Sequence, residues 1–508
     1  MTTTSRRTGA LRTKPVELIL EQQADEAEFA QENGGSLRKN LTSRDLMGFG
    51  IGIVIGTGIF TLTGVEAKNH AGPGVVVSFA IAGVVSLLAA LCYAEMASTV
   101  PTAGSAYTYA YATLGEVVAW IIGWDLILEF ALGAAVVARG WSSYLANLLN
   151  LPRELFTEDA PVNVGAILIT VVLGIVALVG VKESARVTNA LVVIKVAVCL
   201  FVVVAGLFFV KAANLTPFVP PAQPVTSGTS GLTQPLSQAL FGIQPTAFGF
   251  AGVLTAAAVV FFAYTGFEAV ANMGEETRNP KKDLPLGLLG TLGICTVLYI
   301  GVSFVVTGMQ QYSQIDEGAP IAGAFKSVGL GWASALISIA AVCGLTSVIL
   351  VDIVAMGRIG FAMGRDHLLP PSVAAIHPKW GTPWKITLAT IVLVALLGAF
   401  VPLSALADMV SIGTLFAFVV VSLAVPIMRR RRPEMERPFK VPFSPVIPVL
   451  SALACLYLMT NLSLETWLRF VVWMALGFLI YFGYGRRNAS VATWDDHHGT
   501  QDARPADA

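Results

Sequence analysis

Twelve long apolar runs constrain this chain more than any other feature. They fall at about 45–66, 73–97, 116–147, 162–180, 187–210, 251–273, 284–309, 331–357, 384–402, 406–428, 445–463 and 466–485. Each is rich in Leu, Val, Ile, Ala and Gly and approaches the ~20 residues that a helix needs to cross a bilayer. A transmembrane barrel is built from ~10-residue alternating segments, which these are not. Composition agrees: only 13% of the 508 residues are charged and 55% are hydrophobic, against ~25% charged in soluble domains. So few charges cannot coat the surfaces of several globules. Lys and Arg total 32, and Asp and Glu total 32, so the basic footprint of a nucleic-acid binder is absent.

With both termini on the cytoplasmic side, 25 of the 32 Lys and Arg residues fall inside and five outside. Arg139 and Lys195 lie within runs. This bias satisfies the positive-inside rule, although the inner loop 98–115 carries no basic residue. The chain then divides into a cytoplasmic tail, 1–44, a membrane domain, 45–486, and a second cytoplasmic tail, 487–508. A polar stretch of more than forty residues precedes the first run, so no cleaved leader is expected. Residues 15–31 read either as an amphipathic helix or as a flexible acidic tail, and the segment after Arg487 reads as disordered. Segment 212–248 has six prolines and no charge, and is expected to cover an outer vestibule.

Pump, enzyme and channel signatures are missing. No Gly-Lys pair occurs, so there is no Walker A loop. The five histidines lie in loops or tails, away from where a membrane metal centre needs them. Cys92, Cys199, Cys295, Cys343 and Cys455 match no metal or redox spacing and read as packing residues. No potassium-channel type of filter appears. The expectation is neither a catalytic site nor a metal site.

Two runs are interrupted. The first carries glycines at 48, 50, 52, 56, 58 and 64, with a weak point at Gly56-Thr57-Gly58. The sixth reads Tyr264-Thr265-Gly266-Phe267 at its middle. Gly-interrupted spans in corresponding places of two halves point to an inverted-repeat carrier, because unwound backbone at mid-membrane is tolerated only beside a cavity or ligand. Amides near Thr57 and Gly58, at a helix N-terminus, suit a carboxylate. Carbonyls freed around Phe262 to Thr265 suit an ammonium group. Together these fit an α-amino acid. Close helix packing is the competing reading of these glycines, most evenly balanced at Gly48 and Gly52.

Intramembrane ionisable groups mark function by default. Lys195 lies nine residues beyond Arg186, about 13 Å into a ~30 Å core. It either snorkels to the inner surface or gains and loses a proton there; protonated, it can bind carbonyls of the first run. Glu129, with Asp125 on the same face, either lines the site or is a packing carboxyl. Glu268 follows the second break and reads as support for freed amides or as part of an inner gate. Asp352 pairs with Arg358 or belongs to a proton exit path. Glu95 and Asp408, near run ends, read as solvated or capping.

The segments GIGIVIGTGIFTLTG (50–64), GSAYTYAYATLGE (104–116), GWDLILEF (123–130), FFAYTGFEAV (261–270), GEETRNPKKDLPLG (274–287) and MGRDHLLP (363–370) resemble the amino acid–polyamine–organocation superfamily. They are closest to its cationic amino acid transporter branch and bacterial proton-coupled homologues. The resemblance spans about 45–486. It implies an all-α integral membrane protein of twelve transmembrane helices: two inverted five-helix repeats with helices 1 and 6 broken, plus two extra helices. It implies a substrate site at Val54, Gly56, Thr57, Gly58, Glu129, Phe262, Ala263, Thr265 and Leu345, with Lys195 as the proton-coupling residue and Glu268 and Asp352 as secondary candidates. Thr265 stands where the branch commonly carries Ile, and Asp352 replaces an apolar residue. The expected partners are a cationic or neutral amino acid, protons and the lipid of the cytoplasmic membrane, with the proton gradient in place of a cofactor. An exchanger or polyamine carrier of the same fold is the nearest alternative. A non-transporting sensor or complex subunit is the more distant one.

Overall fold

The computed structural model describes residues 41–99, 107–108, 110–111, 114–180, 185–224, 231–242, 246–274, 276–431 and 433–490. The expectations for 15–31, for most of the two tails and for much of loop 98–115 lie outside them. Each of the twelve apolar runs forms helix. In chain order these are α1 (Ser43–Val54), α2 (Val75–Thr99), α3 (Glu116–Leu149), α4 (Val164–Val179), α5 (Ala185–Leu207), α6 (Gly249–Val260), α7 (Pro280–Met309), α8 (Gly331–Arg365), α9 (Trp384–Phe400), α10 (Leu403–Arg431), α11 (Val446–Thr460) and α12 (Leu464–Ile480).

Eight helical stretches among the described residues are long and apolar enough to cross a membrane. One of them, Gly58–Thr99, joins the outer part of the first run to α2 through Gly72-Pro73-Gly74. α4, α9 and α11 are apolar but only 16, 17 and 15 residues long. α1 and α6 are short because each run is interrupted. α8 reaches Arg365, beyond the run that ends near 357: Arg358 interrupts the apolar pattern, but the helix continues through Ile359–Gly364 with Gly360 and Met363 buried.

Burial places α3 at the centre: its most apolar window is 94% buried, against 22% for α12. The outward faces of α4 and α9 show Leu168, Val172, Ile175, Val392 and Leu396, as a lipid-facing surface should. Interhelix contact in lipid depends on close packing rather than on water exclusion. Glycines accordingly meet bulky partners: a Cβ at Gly206 would lie 2.1 Å from Val305 Cγ1, and one at Gly174 2.3 Å from Ile391 Cγ1.

Two polar anchors tie the bundle. Arg139 on α3, nearly fully buried, donates to both carboxylate oxygens of Glu158 (2.7 and 2.9 Å) and to the Gly398 carbonyl (3.0 Å). Glu95, expected to be solvated or capping, is instead buried in an ion pair. The chain after α10 folds over the end of α2, so Glu95 is fully buried and accepts Arg429 Nε (2.8 Å) and Nη2 (2.5 Å) and the Val441 amide (2.7 Å). Asp408 is half-buried and accepts the Thr466 hydroxyl (3.3 Å). In the long outer segment, a two-residue strand pair, β1 (Gln223–Pro224) and β2 (Thr246–Ala247), is antiparallel. The Phe248 amide donates to the His70 carbonyl (3.0 Å) and the Leu236 amide to Leu462 (3.0 Å), so this segment is fastened to the outer end of the first run and to the α11–α12 turn.

Candidate functional site

The first interruption begins where α1 ends. Ile55 is extended (φ −74°, ψ 90°), Gly56 bends the chain, and a wide helical turn, Gly58–Leu62, resumes from Thr57. Carbonyls around such a break need donors, since none comes from lipid. Three side chains supply them. Tyr299 Oη of α7 donates to Val54 O (2.6 Å), Tyr144 Oη of α3 to Phe60 O (2.6 Å), and Lys195 Nζ of α5 to Gly52 O (2.5 Å).

The second interruption follows α6. The chain tightens over Phe261–Tyr264, is extended at Thr265 (ψ 154°), turns left-handed at Gly266 (φ 94°) and continues as a tight helix over Phe267–Met273. Glycine is required at 266 twice over: its φ is positive, and a Cβ there would lie 2.5 Å from Ile53 Cγ2. Both Glu268 oxygens accept the Gly266 amide (3.0 and 3.1 Å). Tyr264 Oη donates to Phe79 O (2.8 Å), pinning the turn to α2.

The two interruptions touch. A Cβ on Gly58 would lie 2.3 Å from Ala263 Cα and 2.4 Å from Ala263 Cβ. Beside this contact is a small cavity of about 30 Å³. Val54, Gly56, Thr57, Gly58, Glu129, Phe262, Thr265 and Asp352 line it, with Gly133, Val348 and Val410 among the others. Of the residues singled out in the sequence, Ala263 is buried against Gly58 rather than exposed to the cavity, and Leu345 is fully buried in α8 outside its lining. Lys195 and Glu268 stand behind the lining. The Phe262 carbonyl, expected to be open to an ammonium group, already accepts the Thr265 amide (3.1 Å) and hydroxyl (2.9 Å) because the tight turn closes on itself. Thr57 Oγ1 and Thr61 Oγ1 are buried without a hydrogen-bond partner among the described residues.

The Lys195 side chain is 1% exposed and runs inward instead of snorkelling. Its stem crosses Gly344 of α8, where a Cβ would lie 2.8 Å from Lys195 Cε. The carboxyls gather around the cavity. Asp352 Oδ2 sits 3.3 Å from the Cβ position of Gly133, so the missing side chain there makes its space; Asp352 lines the cavity and makes no ion pair with Arg358. Glu129 and Glu268 face each other across the second break. Tyr299, Tyr144, Gly344 and Gly133 escaped the sequence reading. A tyrosine deep in an apolar run is a polar handle that needs a partner, which is the one signal that marks the first two.

A bundle of apolar helices, interrupted at two touching points beside a small cavity that holds Thr57, Glu129 and Asp352, fits a membrane carrier. Residues 41–482 match the amino acid permease family, and the chain belongs to that family. It is 42% identical to the methylthioribose transporter of Bacillus subtilis (strain 168), over 91% of this chain and 96% of that one. It is equally 42% identical to the branched-chain amino acid permease BcaP of the same organism, over 90% and 95%. Cationic amino acid transporter 1 of Arabidopsis thaliana is 39% identical, over 79% of this chain and 64% of that protein. The protein is therefore a multi-pass membrane transporter of the amino acid permease family, and not an enzyme.

Proposed function

We propose that the chain is a proton-coupled amino acid symporter that works by alternating access. In this reading twelve helices span the cytoplasmic membrane, the first ten as two inverted five-helix repeats. The membrane domain is 45–486, with tails 1–44 and 487–508 in the cytoplasm. The observation that carries the reading is the pairing of two features at one place: the two broken segments in contact at Gly58 and Ala263, and Lys195 Nζ bonded to the Gly52 carbonyl just before the first break.

The substrate carboxylate takes the amides of Thr57 and Gly58, at the start of the outer half-helix. The substrate amine takes the carbonyl side of the Phe262–Thr265 turn, displacing the Thr265 hydroxyl from Phe262 O. A bond from an ammonium to a carbonyl is roughly twice as strong as one from a neutral donor. A protonated Lys195 therefore holds α1 against α5, and loss of the proton weakens that hold and releases the inner half of the first span. The side-chain end of the cavity carries Glu129 and Asp352, with no basic side chain among the described residues lining it. Two carboxyls in a water-poor pocket favour a substrate with a cationic group.

The test is uptake of a radiolabelled mixture of the protein amino acids by liposomes holding the purified chain. An acidic exterior should drive accumulation, with lysine and arginine prominent. Counterflow without gradient-driven accumulation would replace symport by exchange. Neither activity would leave a sensor or a subunit.

A further inference from the structure

One buried carboxyl is used by none of the above. Asp125 on α3 is fully buried, and both its oxygens lack a hydrogen-bond partner among the described residues. It lies four residues, one turn, before Glu129 on the same helix face. It is nine residues from Glu116, hence ~14 Å above the start of the helix. Across from it α10 has a glycine: a Cβ at Gly413 would lie 2.8 Å from Asp125 Oδ1. The next residue, Thr414, reaches toward Glu129, and its Oγ1 is also buried without a partner. On α2, the Tyr93 ring stands edge-on to Phe267 and Phe418, and its hydroxyl lies in the shared field of Asp125, Glu129 and Glu268. Among the described residues, Glu129 and Tyr93 are the titratable groups placed near Asp125, and neither is basic.

A carboxylate with neither cation nor donor in a dry interior is untenable, so the group must hold a proton. The space at Gly413 is shaped for a carboxyl that a larger neighbour would exclude. We infer that Asp125 is a proton-transfer station on the cytoplasmic side of the substrate site, receiving a proton from the Glu129–Glu268 pair and releasing it inward. In the closed form Asp125 carries the O–H. When the inner half opens and water enters, Asp125 passes that proton to a cytoplasmic water, and the hydrated carboxylate takes the O–H proton of Glu129 before the interior closes again. Only O–H bonds break and form. Thr414 and Tyr93 position the two carboxyls and can relay through their hydroxyls.

The inference rests on the proton-coupled reading above, and the experiment separates the two. Wild-type protein and Asp125→Asn are reconstituted with the radiolabelled amino acid mixture, and both pH-gradient-driven accumulation and counterflow are measured, with melting temperature as a check on folding. Asparagine keeps the shape but cannot cycle a proton. The expected result is that accumulation falls by about a hundredfold or more while counterflow continues. Full accumulation by Asp125→Asn overturns the inference, since a permanently neutral packing acid is replaceable by its amide. Loss of counterflow together with accumulation also overturns it, in favour of a structural or substrate-handling role, whether or not melting changes. Failure of the wild type to accumulate in a pH gradient overturns the symport reading instead.

Discussion

A methyl group added at Gly58 tests how closely the two broken segments must approach. In Gly58→Ala the new Cβ would sit 2.3 Å from Ala263 Cα and 2.4 Å from Ala263 Cβ. Carbon atoms in good contact are ~3.5–4.0 Å apart, so the segments must separate by roughly 1.3 Å. No flexible side-chain tip can absorb the overlap, because the obstruction is the backbone of a tight turn and its short side chain. Overpacking of this kind costs about 1–3 kcal/mol, which shifts the balance away from the closed form by about 5- to 150-fold. The substrate is held between these segments, so its apparent affinity should fall by a similar factor, more in Gly58→Val. The assay is equilibrium binding of the labelled amino acid mixture to purified protein in detergent. Melting temperature without substrate should change little, since parting the segments relieves the overlap. Binding at wild-type affinity would refute the claim that closure at Gly58 and Ala263 forms the site.

Tyr299→Phe removes the donor to the Val54 carbonyl and leaves a buried acceptor unpaired, at about 1–3 kcal/mol; the melting temperature should drop, and an unchanged value would contradict the bond's importance. Asp352→Asn removes one of two carboxyls from the side-chain end of the cavity. Arginine should then lose about tenfold or more in affinity relative to leucine, as for a hydrogen bond to a charged group, and an unaltered arginine-to-leucine ratio in competition binding would exclude a cation subsite at Asp352.

The helical runs were legible because lipid demands continuous apolar segments with internally paired backbone. The breaks were legible because Gly56-Thr57-Gly58 and Thr265-Gly266 recur at corresponding places of two apolar runs, which packing glycines alone need not do. The details were less so. The chain departs from helix already at Ile55, and the helix resumes as a wide turn at Gly58. The sequence also led to an open Phe262 carbonyl, whereas the tight turn folds Thr265 back onto it. Tyr299 and Lys195 reach the first broken segment from 245 and 143 residues away. A lysine in an apolar run announces itself by its cost, and a tyrosine does so only weakly. Gly344 and Gly133 matter for what they leave empty, around the Lys195 stem and the Asp352 carboxyl, and an empty space has no signature until the facing helix is known. Glu95 looked solvated because the chain that buries it, around Arg429 and Val441, lies more than three hundred residues downstream.

The coupling role of Lys195 is the central claim, and Lys195→Met addresses it most directly. Methionine keeps an unbranched stem across Gly344 but carries no proton and gives Gly52 O no donor. With the variant in liposomes at an orientation and melting temperature matched to wild type, accumulation of labelled amino acids driven by an acidic exterior should be abolished. Accumulation undiminished from wild type would contradict proton coupling through Lys195.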